Sequence, residues 1–346
     1  MSFSFGFGGD DIDNDDDVEH AVDKVAKMQL APENSYPPQA LDFWTSLAEL
    51  PSQISYNTIE LHSKLAAEDR ALHVFRRSLF DIRTQLMAEA TAENDNDALL
   101  SGLDAGDLTG GTYEGGFKTW ECSVDLAEYL ISLQPQGNLH LIELGAGSAI
   151  PSSVLLQQSL SKSRNDHKYH FTLCDYNTDV LKLCTVPNVY LNAEHALARS
   201  FDLMTGEGDI DITARNVDVM ASELRSRAVS ISLVSGAWGE AFVDLVLSSR
   251  PPDLGDARVI ILASETIYSP ESLQAFNDTL AALLRSTPGS VAYVAAKKVY
   301  FGVGGGIGEF TNSITQRGAL VNIVDTTDDG VGRVIAEVSM PLPRTP

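Results

Sequence analysis

Glu143-Leu144-Gly145-Ala146-Gly147-Ser148-Ala149-Ile150 closes the apolar run of residues 139–144 and opens a helical pattern over 152–160. Glycines straight after a strand let the backbone approach a ligand at the carboxyl end of a sheet, where open α/β folds bind nucleotides. The dinucleotide pattern GxGxxG fails at its third glycine, where Ile150 stands, and Pro151 starts the helix instead. No GxxxxGK[ST] run exists either, so a phosphate-cradling loop is disfavoured. A lone GxG decides little, and the next strand, residues 169–174, must supply the other half of a site. It ends in Asp175, where a carboxylate can accept hydrogen bonds from two ribose hydroxyls. Its distance of 28 residues from Gly147 is lengthened by the polar insert 161–168. Asp175 also reads as the N-cap of the following helix, and both roles can coexist.

Working outward, β-rich runs recur at 229–234, 259–263, 291–295, 320–324 and 333–338, making seven strands in all. Helical patterns at 152–160, 179–183 and 272–284 fall between the early ones, which predicts βαβ units and a mostly parallel sheet. Only residues 325–332 separate the last two strands, too few for a right-handed crossover, so these two pair as an antiparallel hairpin. Upstream, Leu72, Phe75, Leu79, Ile82 and Leu86 recur at helical spacing in a stretch with few breakers, 58–90, which predicts one amphipathic helix. Its Arg70, Arg76, Arg77 and Arg83 read as a solvated basic face balancing nearby acids. Residues 91–112 lose the period and read as a linker. The predicted organisation is an acidic, largely disordered tail over 1–57, a helical extension and linker over 58–112, and an α/β domain over 113–346.

The 346 residues carry 24 Lys and Arg against 48 Asp and Glu, a formal charge of −24. Direct nucleic-acid binding through phosphate neutralisation is therefore not expected, and large partners should be basic. Residues 1–60 alone hold twelve acids against Lys24 and Lys27; this segment reads either as a solubilising tail or as a docking surface for a basic partner. Three cysteines without a CxxC pair suggest neither a disulfide framework nor a cysteine zinc site. No signal-peptide pattern and no run of about 20 apolar residues is present, so a reduced, intracellular, membrane-free protein is expected. His170 and Cys174 would lie about 13 Å apart on one strand, too far for a shared zinc, and a GxSxG elbow is lacking.

The glycine loop, the strand-terminal acid and the closing hairpin together resemble the seven-stranded, Rossmann-like S-adenosylmethionine-dependent methyltransferases. Six further stretches narrow the likeness: FSFGF (3–7), GGFKTWEC (115–122), CDYN (174–177), VPNV (186–189), SETIY (264–268) and AKKVYFGVGGG (296–306). Together they resemble the histidine protein methyltransferases, which modify a histidine in the third protein of the large ribosomal subunit. The long polar segment 193–227 and Ala237, where relatives carry a polar group, are departures. The resemblance implies S-adenosylmethionine as donor and S-adenosylhomocysteine as product, a basic ribosomal substrate, and a cytoplasmic and nuclear location. It implies donor contacts from Trp120, Glu143, Gly145, Gly147, Asp175, Asn177, Trp238 and Ser264. Glu265 and Tyr268 are the implied catalytic edge, and Phe117, Lys118, Phe301 and Gly302 a substrate rim; no metal is implied.

A neutral imidazole already holds a lone pair at pH 7, so its methylation needs orientation rather than a strong base. A carboxylate such as Glu265 accepting the proton of the other ring nitrogen would supply that orientation. Two alternatives stay open on the sequence: a lysine methyltransferase, which must deprotonate an ammonium of pKa ~10.4, and a non-catalytic escort of a basic ribosomal protein.

Overall fold

The computed structural model describes residues 36–64, 71–89, 99–100, 115–161, 167–197, 206–268, 270–300, 305–328 and 330–342. In chain order the elements are β1 (Gln39–Leu41), α1 (Phe43–Ala48), β2 (Gln53–His62), β3 (Ala71–Arg77), α2 (Leu79–Glu89), α3 (Glu121–Ile131), β4 (Asn138–Leu144), α4 (Ile150–Ser161), β5 (Tyr169–Asp175) and α5 (Val186–Ala196). They continue with β6 (Glu207–Asp211), α6 (Ala214–Ser226), β7 (Val229–Ser235), α7 (Glu240–Ser248), β8 (Ala257–Ser264), α8 (Pro270–Ser286), β9 (Val291–Lys297), α9 (Ile307–Gln316), β10 (Leu320–Thr327) and β11 (Arg333–Ser339).

All seven expected strands form, as β4, β5, β7, β8, β9, β10 and β11, in one sheet of order β1-β7-β5-β4-β8-β9-β11-β10. The inner pairs are parallel, and β11 runs antiparallel between β9 and β10, the expected terminal hairpin. An eighth strand, β1, was not read from the sequence; it pairs antiparallel with β7 at the opposite edge. Within β4, Leu139 and Leu141 join the core under α3, α4 and α5, while Ile142 and Leu144 join the core under α7, α8 and α9. A strand covered on both faces needs apolar residues at successive positions, which is why these runs are continuous rather than alternating.

Residues 58–62 and 71–77 form strands rather than the expected helix. Ile54 and Tyr56, then Ile59 and Leu61, are buried along β2, which pairs antiparallel with both β3 and β6 in a second, three-stranded sheet. Only Leu79, Ile82 and Leu86 of the helical stripe lie on a helix, α2; Leu72 and Phe75 belong to β3. The partner β6 lies some 150 residues away, so tertiary pairing overrode the local period. The acidic tail likewise ends earlier than 57, since residues 39–57 contribute β1, α1 and part of β2. Residues 1–35, most of the linker 91–112 and Arg70 lie outside the described residues.

Of the basic face, Arg83 is exposed as expected, whereas Arg76 and Arg77 are buried. Arg77 is buried and ion-paired to Asp81 at 2.6 Å, with Gln85 and the Leu183 carbonyl as further acceptors, and Arg76 donates to Asn57. The outer edge of β3 is closed by side chains of α5: Asn192 accepts from Phe75 N at 3.0 Å and donates to Phe75 O at 2.7 Å, and Asn188 accepts from Arg77 N at 2.6 Å. Replacing Asn192 by Leu would strand a buried donor and a buried acceptor. We expect a loss of about 2–4 kcal/mol in urea unfolding, and a loss below 0.5 kcal/mol would show that these bonds do not hold the sheet.

Candidate active site

The cleft lies where chain order reverses between β4 and β8, at the carboxyl ends of the parallel strands, the expected binding place in an open α/β sheet. Loops after β4, β5, β7 and β8, the turn before α3 and the start of α8 line a cleft partly open to solvent. Gly145 (φ +67°) and Gly147 (φ +49°) both sit in the left-handed region. A Cβ would come within 2.8 Å of Thr266 Cγ2 at the first and 3.0 Å of the Gly116 carbonyl at the second. Both the conformation and the close approach call for glycine.

Asp175 ends the fully buried β5. Its Oδ2 accepts from Gly147 N at 2.9 Å and its Oδ1 from Asn177 N at 3.1 Å, with the Tyr176 backbone N–H a further donor, so it ties the glycine loop to its own turn. Burial pushes its carboxyl up to about 6, against the lowering effect of these backbone bonds. A ligand held by the ionised form should therefore bind more weakly as pH falls through that value. For the adenosyl product, a titration from pH 7.5 to 5 should show Kd rising about tenfold, a dependence that Asp175→Asn should remove.

Glu143 was expected to touch the donor and does not line the cleft. Its side chain turns to the start of α4, where Oε2 accepts from Ser152 N at 3.2 Å and from the Ser152 hydroxyl. Burial, with the nearby Asp175 charge adding, pushes it up to about 8. Asn177 also stands outside the lining; it, not Asp175, caps the next turn, its Oδ1 accepting from Asp179 N at 2.8 Å. Phe117 is not a rim residue but is buried with Ile82, Leu86, Val180 and Leu183 in a small satellite core. Phe301 and Gly302 lie outside the described residues.

The other expected residues converge. Trp120, Trp238, Ser264, Glu265, Tyr268 and Lys118 all line the cleft. Trp120 precedes α3 and is fixed by its indole N–H on the Gly115 carbonyl at 3.0 Å. Trp238 packs on Phe276 at 5.2 Å, and its indole nitrogen is buried without a partner, as is the Thr266 hydroxyl. Glu265 follows β8 in the left-handed region (φ +56°), with its N–H on the Ala295 carbonyl at 3.0 Å. Such strain in a non-glycine residue clusters at functional sites. Its Oε2 accepts from the Tyr300 hydroxyl, and its Oε1 is buried with no hydrogen-bond partner, the buried Cys122 thiol lying beside the carboxylate and pushed up by burial and by that charge. Sequence reasoning missed Tyr176, Thr266, Ser272 and Ala275. Tyr176 was findable, being the residue after a strand-terminal acid; Ser272 and Ala275, one turn apart on α8, carry only the weak signal of small residues.

This lining fits an adenosyl methyl donor. Asp175 offers two acceptors, Trp238 and Tyr176 offer aromatic faces, and the unpartnered indole N–H and threonine hydroxyl await polar partners. Lys118 is the only cation among the described lining residues, which suits a ligand without phosphate. A sulfonium is in turn favoured by aromatic faces and acids.

No family model matches the chain. It is 31% identical over 341 residues to "Histidine protein methyltransferase 1" of Saccharomyces cerevisiae, covering 90% of this chain and 89% of the relative. The relative of that name in Schizosaccharomyces pombe is 34% identical over 272 residues, 76% of each chain. Among solved structures, a riboflavin-analogue dimethyltransferase from Streptomyces davawensis aligns with a TM-score of 0.31 at 10% identity, over 59% of this chain and 50% of that one. With identity above 30% maintained along nine-tenths of its length, the chain belongs to the histidine protein methyltransferase family.

Proposed function

We propose that the chain methylates a histidine of a basic large-subunit ribosomal protein, the third by the sequence resemblance, with S-adenosylmethionine as donor. The observation that carries the acceptor assignment is Glu265: a carboxylate lining the cleft with one oxygen held by Tyr300 and the other, Oε1, without a partner. When bound, the donor supplies a methyl group activated on a sulfonium. Asp175 holds its ribose hydroxyls, Trp238 and Tyr176 wall the adenine, and Trp120 covers the methionine end. Glu265 Oε1 accepts the N–H of the substrate imidazole, which aims the other ring nitrogen and stabilises the imidazolium as it forms. Tyr268 walls the acceptor. Alignment and exclusion of water, rather than a covalent enzyme intermediate, then carry the reaction.

The charge of −24 supports a basic substrate and steered, salt-sensitive association. Among the described residues no helix is long and apolar enough to cross a membrane; the resemblance supports action in the cytoplasm and nucleus. The test is incubation of the full chain with isotopically labelled donor and purified large-subunit ribosomal proteins, followed by residue-level mass spectrometry. Label on a histidine of one such protein is the expected result. Label on lysine would overturn the acceptor, and donor binding without turnover on any of them would favour the escort reading.

A further inference from the structure

We propose that Tyr300 is a positioning residue for methyl transfer: its phenol holds Glu265 Oε2, so that Oε1 alone is presented to the substrate imidazole. The inference rests on the reading of Glu265 as the imidazole acceptor and concerns what makes that carboxylate competent.

The geometry fixes the direction of the bond. The Tyr300 oxygen accepts the backbone N–H of Lys297 at 3.3 Å, which leaves its single hydrogen for Glu265 Oε2. Burial and the carboxylate's own charge push the phenol well up, so it remains a donor throughout the neutral range. The loop carrying Tyr300 is itself built against the catalytic edge. Tyr300 N donates to the Gly305 carbonyl at 3.2 Å, and a Cβ on Gly305 would stand 2.6 Å from the Tyr268 carbonyl oxygen and 2.7 Å from that of Ile267. Glycine at 305 thus lets the loop press on the same 265–268 segment that Tyr300 grips by its side chain.

A glutamate after a strand end, in a left-handed conformation, has a side chain whose terminal torsion is otherwise broad. Without a donor on Oε2 it could offer either oxygen to the substrate. The hydrogen bond from Tyr300 fixes the plane of the carboxylate.

Tyr300→Phe removes only the hydroxyl. In the full chain, kcat should fall about tenfold to a hundredfold, with substrate KM and the Kd of the adenosyl product within about twofold of wild type. In a Glu265→Gln background the same substitution should have no further effect on kcat, because the carboxylate whose charge and plane it fixes is gone. Unchanged kcat in Tyr300→Phe, additive losses in the double variant, or a loss of kcat accompanied by an equal loss of donor affinity would each overturn the proposal, the last by making the role one of general support. If Glu265→Gln itself turns over at the wild-type rate, it is the acceptor reading that fails, and this inference with it.

Discussion

Glu265→Gln is expected to lower kcat about 10²- to 10³-fold while donor affinity stays within about twofold. The amide keeps the length of the side chain and its place after β8, yet presents no charge to the imidazolium that develops during transfer. A single preorganised group aimed at developing charge is worth about 2.7–4 kcal/mol, which is the range given. Single-turnover rates with saturating donor, set beside calorimetric binding of the adenosyl product, separate the two quantities. A variant that keeps more than half of the wild-type rate would remove Glu265 from the chemistry. Rate and affinity falling together would place it among the donor contacts instead.

Asp175→Ala should act on the other half of the cleft, raising the donor Kd about 10²- to 10³-fold. Two hydrogen bonds from ribose hydroxyls to a buried carboxylate are lost, each worth about 1.5–3 kcal/mol when the acceptor is charged. The Gly147 and Asn177 N–H groups also lose their acceptor, which loosens the glycine loop against the strand end. Against this, a carboxylate whose ionisation is opposed by burial is removed, so Tm should move by only a few degrees. Calorimetry with the adenosyl product reads the affinity, and a Kd within tenfold of wild type would show that the ribose is held elsewhere.

What could be read in advance follows physical locality. The inner strands β4, β5, β8 and β9 were legible because burial on both faces demands continuous apolar runs, the half-exposed edge strand β10 because it is rich in β-branched residues, and the terminal hairpin because eight residues cannot cross over a sheet. Asp175, Trp238 and Glu265 were legible because each stands one to four residues beyond such a run, at the end of the sheet where ligands bind. The β2–β3 hairpin was not, because Leu72, Phe75, Leu79, Ile82 and Leu86 satisfy a helical period, while the strand β6 that decides otherwise is remote in sequence. Glu143 and Phe117 were misplaced for a related reason. Neighbours along the chain line the cleft, but the direction of each side chain is set by partners the sequence does not name: Ser152 beneath the loop for one, and the satellite core with Val180 and Leu183 for the other.

The antiparallel edge strand β1 bears on how this protein is made. Its partners, Leu233 to Ser235 on β7, leave the ribosome some 190 residues after it, roughly ten to forty seconds later at ordinary rates of synthesis. For that interval Gln39–Leu41 has no sheet to join, and β2 likewise waits for β6. β1 is thus translated well before the strand that places it, and until it docks β7 presents an open edge to any other extended chain. Crowded expression should therefore penalise variants that weaken β1 through aggregation of the newborn chain, well before any loss is seen in the stability of the finished fold.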